Sequence, residues 1–135
     1  MRKPIKIVLG VLLGFVVWFV VATVGNLIIR AAISGYHEAE VVARLTLPML
    51  FARLAVGAVS STAAGFACAS AFRSAPRAIT FLAAALVLFF IPVHYSLWTQ
   101  FPLWYHATFL LTLAPLVWLG ARLPIAISPR SGDGT

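Results

Sequence analysis

The chain has 135 residues, of which 62% are hydrophobic and only 10% charged, and a net charge of +7. A soluble domain carries roughly 25% charged residues, so the composition excludes a water-soluble globular protein. At this length membrane spans consume nearly the whole chain, which leaves one membrane domain and no globular one beside it. The basic residues are spread along predicted helix ends with no basic stripe interleaved with exposed aromatics, so the charge reads as membrane topology and not as nucleic-acid binding.

The chain opens on Arg2, Lys3 and Lys6, a positive start like that of a signal peptide. The apolar run after it is longer than the 7 to 15 residues of a signal h-region. Ile7 to Ile29 holds 23 residues without Lys, Arg, Asp or Glu, which predicts a retained first span over 6–29, since a bilayer core needs about 20 apolar residues. Gly10 and Gly14 form one GxxxG pair in its first half, a weak packing signal because glycine is frequent in membrane helices. Asn26 and Arg30 mark its far end, and the loop beyond holds His37, Glu38, Glu40 and Arg44.

A second span is expected over 48–72, with Pro48 in its first turn, where a missing N–H costs nothing. Gly57, Ser61, Gly65 and Ala69 recur there every four residues, with Ala64 and Cys68 adjacent. Small residues at that spacing let a second backbone approach closely, so this span is expected at the centre, facing another helix or a second copy of the chain. Cys68, the sole cysteine, reads as one more small buried residue. Arg53 lies one turn inside the span, where snorkelling to water is the preferred reading and pairing with Glu38 or Glu40 the alternative.

Between Arg77 and Arg122 lie 44 residues with no Lys, Arg, Asp or Glu. As one helix they would reach about 66 Å at 1.5 Å per residue, twice a bilayer core. The run must therefore fold back, and Trp98-Thr99-Gln100-Phe101-Pro102 is its only polar interruption. Spans three and four follow over 77–97 and 102–121, with Ser74 as the expected N-cap of the third helix. Pro92 and Pro115 fall inside these spans and should kink them; kinks that improve packing are preferred over kinks that line a site. Residues 123–135 read as an interfacial stretch and a disordered tail.

The expected fold is all-α, an integral membrane four-helix bundle of up-down-up-down topology over 1–122. Arg2, Lys3, Lys6, Arg73, Arg77, Arg122 and Arg130 fall on one side, against Arg30, Arg44 and Arg53 on the other. Positive charge favours the inner side, so both termini are expected in the cytoplasm and the turn at Gln100 outside. The overall look is that of small bacterial inner-membrane proteins.

Under this topology all three histidines lie at the outer face. The turn is nearly mirror-symmetric: His94 and Tyr95 precede Gln100 by six and five positions, and Tyr105 and His106 follow it by five and six. Folding about Gln100 sets His94 and His106 at one depth. The preferred reading is an aromatic belt, with Tyr95, Trp98, Trp104 and Tyr105 at the membrane interface and the histidines bonded to headgroups, water or backbone. The sharper reading is an outer-face pocket built from Asn26, Arg53, His94, Tyr95, Tyr105 and His106. In it the histidines, with His37 and Glu38 or Glu40, would hold a small ligand, a metal or haem. No HxxxH, HExxH or paired-Cys spacing is present, so no metal or cofactor is assigned.

No set of catalytic groups converges, so no enzyme is expected. The chain is similar in size and span number to the small multidrug transporters, but those carry a membrane-embedded Glu in the first span, and Ile7 to Ile29 contains none. The function expected from the residues is structural or accessory, with the lipid bilayer, a homo-oligomer or a larger membrane complex as partners. A small transporter or channel, or a ligand-binding membrane protein, is the alternative.

Overall fold

The structure, a computed structural model, describes Arg2 to Ile127. Among these residues it holds five helices and no strands: α1 (Lys3–Ala32), α2 (Tyr36–Val41), α3 (Leu47–Ala71), α4 (Arg77–Ser96) and α5 (Leu103–Ile127). Four of them, α1, α3, α4 and α5, are long and apolar enough to cross a membrane.

The boundaries follow local chemistry. Pro4 and Pro48 sit in the first turns of α1 and α3, where proline is pre-set for a helix and sacrifices no bond. The N-cap of α4 is Pro76, not Ser74; the Ser74 hydroxyl instead accepts a hydrogen bond from Lys6 Nζ at 2.9 Å and ties the start of α1 to the α3–α4 connection. A loop was expected after α1, yet it contains the six-residue α2, which starts after Gly35 in the left-handed region (φ 77°). Glycine occupies that region without the Cβ penalty other residues meet.

At the other end α5 runs past the expected stop at 121 to Ile127, through both Pro115 and Pro124. In a lipid-facing segment a continued helix is favoured because it keeps every other backbone group bonded internally. The rest of the expected tail, 128–135, lies outside the described residues. Pro92 and Pro115 are both on exposed faces, and α4 and α5 remain helical through them.

The predicted packing stripe is buried inside the molecule. α3 is the central element, packed most extensively against α5 and α1, with α4 against α5 and α1. A Cβ at Gly57 would lie 2.8 Å from the Phe109 ring, and one at Gly65 would collide with the backbone carbonyl of Val117. Gly120 of α5 reciprocates, its absent Cβ leaving room for the backbone of Thr62. The two backbones are thus in direct apposition, which brings dispersion contacts that larger residues would prevent. Gly10 fits against Ala78 and Cys68, and Gly14 against Leu82.

The apolar core of this half of the molecule includes the fully buried Ala64, Cys68, Ala78, Leu82, Leu86 and Val117. Several hydroxyls within the long helices are spent on their own backbone: Ser60, Thr62 and Thr112 donate to the carbonyls of Val56, Ala58 and Thr108. That is the usual way a small hydroxyl is satisfied without water.

Candidate functional site

Toward the end of the molecule where α1 stops and α3 begins, the core gives way to a cleft of about 350 Å³, partly open to the surroundings. Trp18, Phe90 and Phe109 line its apolar part, and Asn26, Arg30, Glu40, Arg53, His94 and Tyr105 its polar part. Each long helix contributes. The apolar rings pack on one another, with Trp18 and Phe90 centroids 4.6 Å apart and Phe90 and Phe109 5.1 Å apart.

Trp18 is also the lowest polar contact of the cleft. Its indole N–H donates to Ser61 Oγ at 3.1 Å, and the Ser61 hydroxyl donates in turn to the Gly57 carbonyl at 2.7 Å. A buried indole needs an acceptor, and the stripe serine supplies it.

Arg53 is the centre of the polar part. Its Nε–H donates to the Tyr105 hydroxyl at 3.3 Å, and Nη1 donates to the Tyr36 hydroxyl at 3.3 Å and to Glu40 Oε1 at 3.0 Å. The guanidinium carbon also stands 5.8 Å from the centre of the Phe101 ring, within cation–π range. Glu40 binds a second arginine through its other oxygen, Oε2, which accepts from Arg30 Nε at 3.1 Å and Nη2 at 2.8 Å. One carboxylate thus bridges two guanidinium groups, leaving a net positive charge at the cleft.

This arrangement corrects the snorkelling expectation for Arg53. The side chain is largely buried and paired with Glu40, because α2 folds back over the end of α3 and brings a carboxylate and a phenol to it. A charge-assisted bond to Glu40, with further bonds to two phenol oxygens, offsets the desolvation of the guanidinium better than a stretched contact with water would. Burial alone would raise the Glu40 carboxyl, but the bonds and charges of Arg30 and Arg53 outweigh it and hold it below the ordinary value. Burial pushes the Tyr36 hydroxyl up, and Arg53 offsets only part of that, so Tyr36 is a neutral phenol.

The two histidines folded together about Gln100 are both buried, and their Nδ1 atoms are 2.7 Å apart. The expectation that they bond to headgroups, water or backbone is therefore overturned: they bond to each other. Two neutral imidazoles at this distance share one proton, the Nδ1–H of one ring donating to the bare Nδ1 of the other. The separation is too short for both atoms to ligate one metal, since two bonds of about 2.0 to 2.1 Å at a tetrahedral angle hold their nitrogens roughly 3.3 Å apart. Nor do His37, Glu38 and Glu40 join them: among the described residues no group of three His, Cys, Asp or Glu side chains could hold a metal ion. His37 instead sits on α2, 4.0 Å from Glu40.

Of the six residues expected at an outer-face pocket, Asn26, Arg53, His94 and Tyr105 line the cleft. His106 stands behind His94, 1% exposed, with its ring parallel to Trp98 at 5.2 Å. Tyr95 is 81% exposed and is not part of the lining. Like Trp98 and Trp104 it faces outward, as a membrane-interface aromatic does.

Trp18, Arg30 and Tyr36 belong to the site and were not singled out for it from the sequence. Trp18 carried a usable signal, being the only tryptophan deep within a span, where its N–H demands a partner. Tyr36 carried almost none, since its burial depends on the path of α2. The chain matches no protein-family model, and comparisons with curated proteins and with solved structures find no match either.

Proposed function

We propose that this chain is a bacterial inner-membrane protein that binds a small ligand in the Arg53 cleft, and that it is not an enzyme. In this reading both termini are cytoplasmic, and the four long helices form an up-down-up-down bundle bent at Pro92 and Pro115. The cleft then opens to the outside. The seven-to-three distribution of Lys and Arg supports this orientation.

The observation that carries the reading is the convergence of four helices on one cavity that has an apolar floor and a charged wall. Its volume lies at the lower end of the 300 to 1,000 Å³ or so typical of ligand pockets. Conduction is disfavoured because the polar groups stop at the Trp18–Ser61 bond, and Leu82, Leu86, Leu113 and Val117 fill the space beyond it. A purely structural role is disfavoured because the Gly57, Ser61, Gly65 stripe, the surface best suited to a partner helix, is already occupied by α1 and α5.

Native mass spectrometry of the protein in mild detergent, beside an Ala22→Trp variant that fills the cleft, tests this. A stoichiometric small molecule on the parent and none on the variant is the expected result. A stoichiometric protein partner with no small molecule would favour the accessory role.

A further inference from the structure

We infer that the cleft takes a small amphiphilic anion, its acid headgroup, a carboxylate or a phosphate, against Arg53 and its apolar body on Trp18, Phe90 and Phe109. The inference rests on the cleft being a ligand site. Charge is the first argument. Arg30 and Arg53 are permanently cationic, and Glu40 supplies the one carboxylate between them, so the cleft has a positive charge to offer.

Unused donors are the second argument. Arg53 commits Nε and Nη1 to Tyr105, Tyr36 and Glu40, and among the described residues Nη2 has no hydrogen-bond partner. Two N–H groups on a planar guanidinium suit an oxyanion. The histidine pair adds a third donor. His106 Nε2 is buried without a partner, and an orphaned N–H is rarer in buried sites than an orphaned acceptor. That favours the tautomer in which His106 donates from Nδ1 and keeps Nε2 bare. His94 then accepts at Nδ1 and carries its proton on Nε2, as a donor at the cleft wall.

A cation is the rival occupant, since aromatic walls attract cations. Both oxygens of Glu40 are already bonded to guanidinium groups, however, and a second cation would meet the charge of Arg53 at short range. The size of the cleft suits a headgroup with one short chain, from a free solute or from one end of a lipid.

The test uses native protein in nanodiscs of phosphatidylcholine, with hexyl phosphate, hexanoate, hexanol and hexyltrimethylammonium as probes. Binding is read by titration calorimetry against empty discs. Hexyl phosphate and hexanoate should bind at least about tenfold more tightly than hexanol, as expected for bonds to a charged group. Glu40→Gln, which removes the competing carboxylate, should tighten both anions, and Arg53→Gln should abolish their advantage; if these variants do not fold, the native series decides. Competition by phosphatidylglycerol added to the discs identifies a lipid headgroup as the source, and no competition a free solute. Tighter binding of hexyltrimethylammonium, or equal binding of hexanol, overturns the anion and leaves the cleft as a ligand site. Binding of no probe above the empty discs overturns both.

Discussion

Glu40 is where one atom's chemistry reaches furthest, since its two oxygens hold Arg30 and Arg53 together. Replacing it with Gln should cost about 1 to 3 kcal/mol, the range for a lost charge-assisted bond that leaves a partner unsatisfied. Its carboxyl is held below the ordinary value of 4.5 in the folded protein. The bridge therefore contributes fully above that value, and its contribution is lost as pH falls through the folded pKa. Thermal unfolding measured from pH 7 down to pH 3 should show the parent losing part of its advantage over Glu40→Gln below about pH 4.5; parallel profiles would mean that the bridge contributes nothing. Trp18→Phe should cost about 1 kcal/mol through loss of the bond to Ser61, measured by the same melts. At this scale the sequence was partly legible. Mirror spacing about Gln100 brings His94 and His106 to one depth, but a face-to-face pair cannot be told from two solvated rings by spacing alone. For Arg53 the alternative reading, pairing with Glu40, is the one found; the sequence favoured snorkelling because the partner lies on a helix it did not announce.

The long elements were the most legible, because a run of 19 to 44 uncharged residues has few options in a bilayer. The spacing of small residues in α3 likewise carried its meaning, for glycine at 57 and 65 leaves room for close packing against α5. These two glycines differ in what they touch. A methyl at Gly65 meets the backbone of Val117 and Ala121, which cannot swing aside, whereas one at Gly57 meets the ring of Phe109, which can. Gly65→Ala should therefore destabilise by about 1 to 3 kcal/mol or more and clearly exceed Gly57→Ala in equilibrium unfolding with sodium dodecyl sulphate. The reverse order would contradict the α3–α5 apposition. α2 escaped the sequence because six residues, Tyr36–Val41, carry too little periodicity; only Gly35, free to take a positive φ, hinted at a reversal there.

For the whole molecule, composition and charge-free runs revealed four helices long and apolar enough to cross a membrane, while the cleft depends on distances between segments far apart in sequence. Arg53 meets Tyr105 and Glu40 across 52 and 13 positions, and no local pattern encodes such a meeting. The central proposal is that the molecule presents a partly open, ligand-binding cleft to the outside. Asn26, half-buried in the cleft lining, gives the most direct test: Asn26→Cys in a Cys68→Ser background, exposed to a membrane-impermeant maleimide in cells whose inner membrane is intact. Labelling without permeabilisation is the predicted result. Labelling only after the inner membrane is opened, or none at all while the protein is folded, would contradict it.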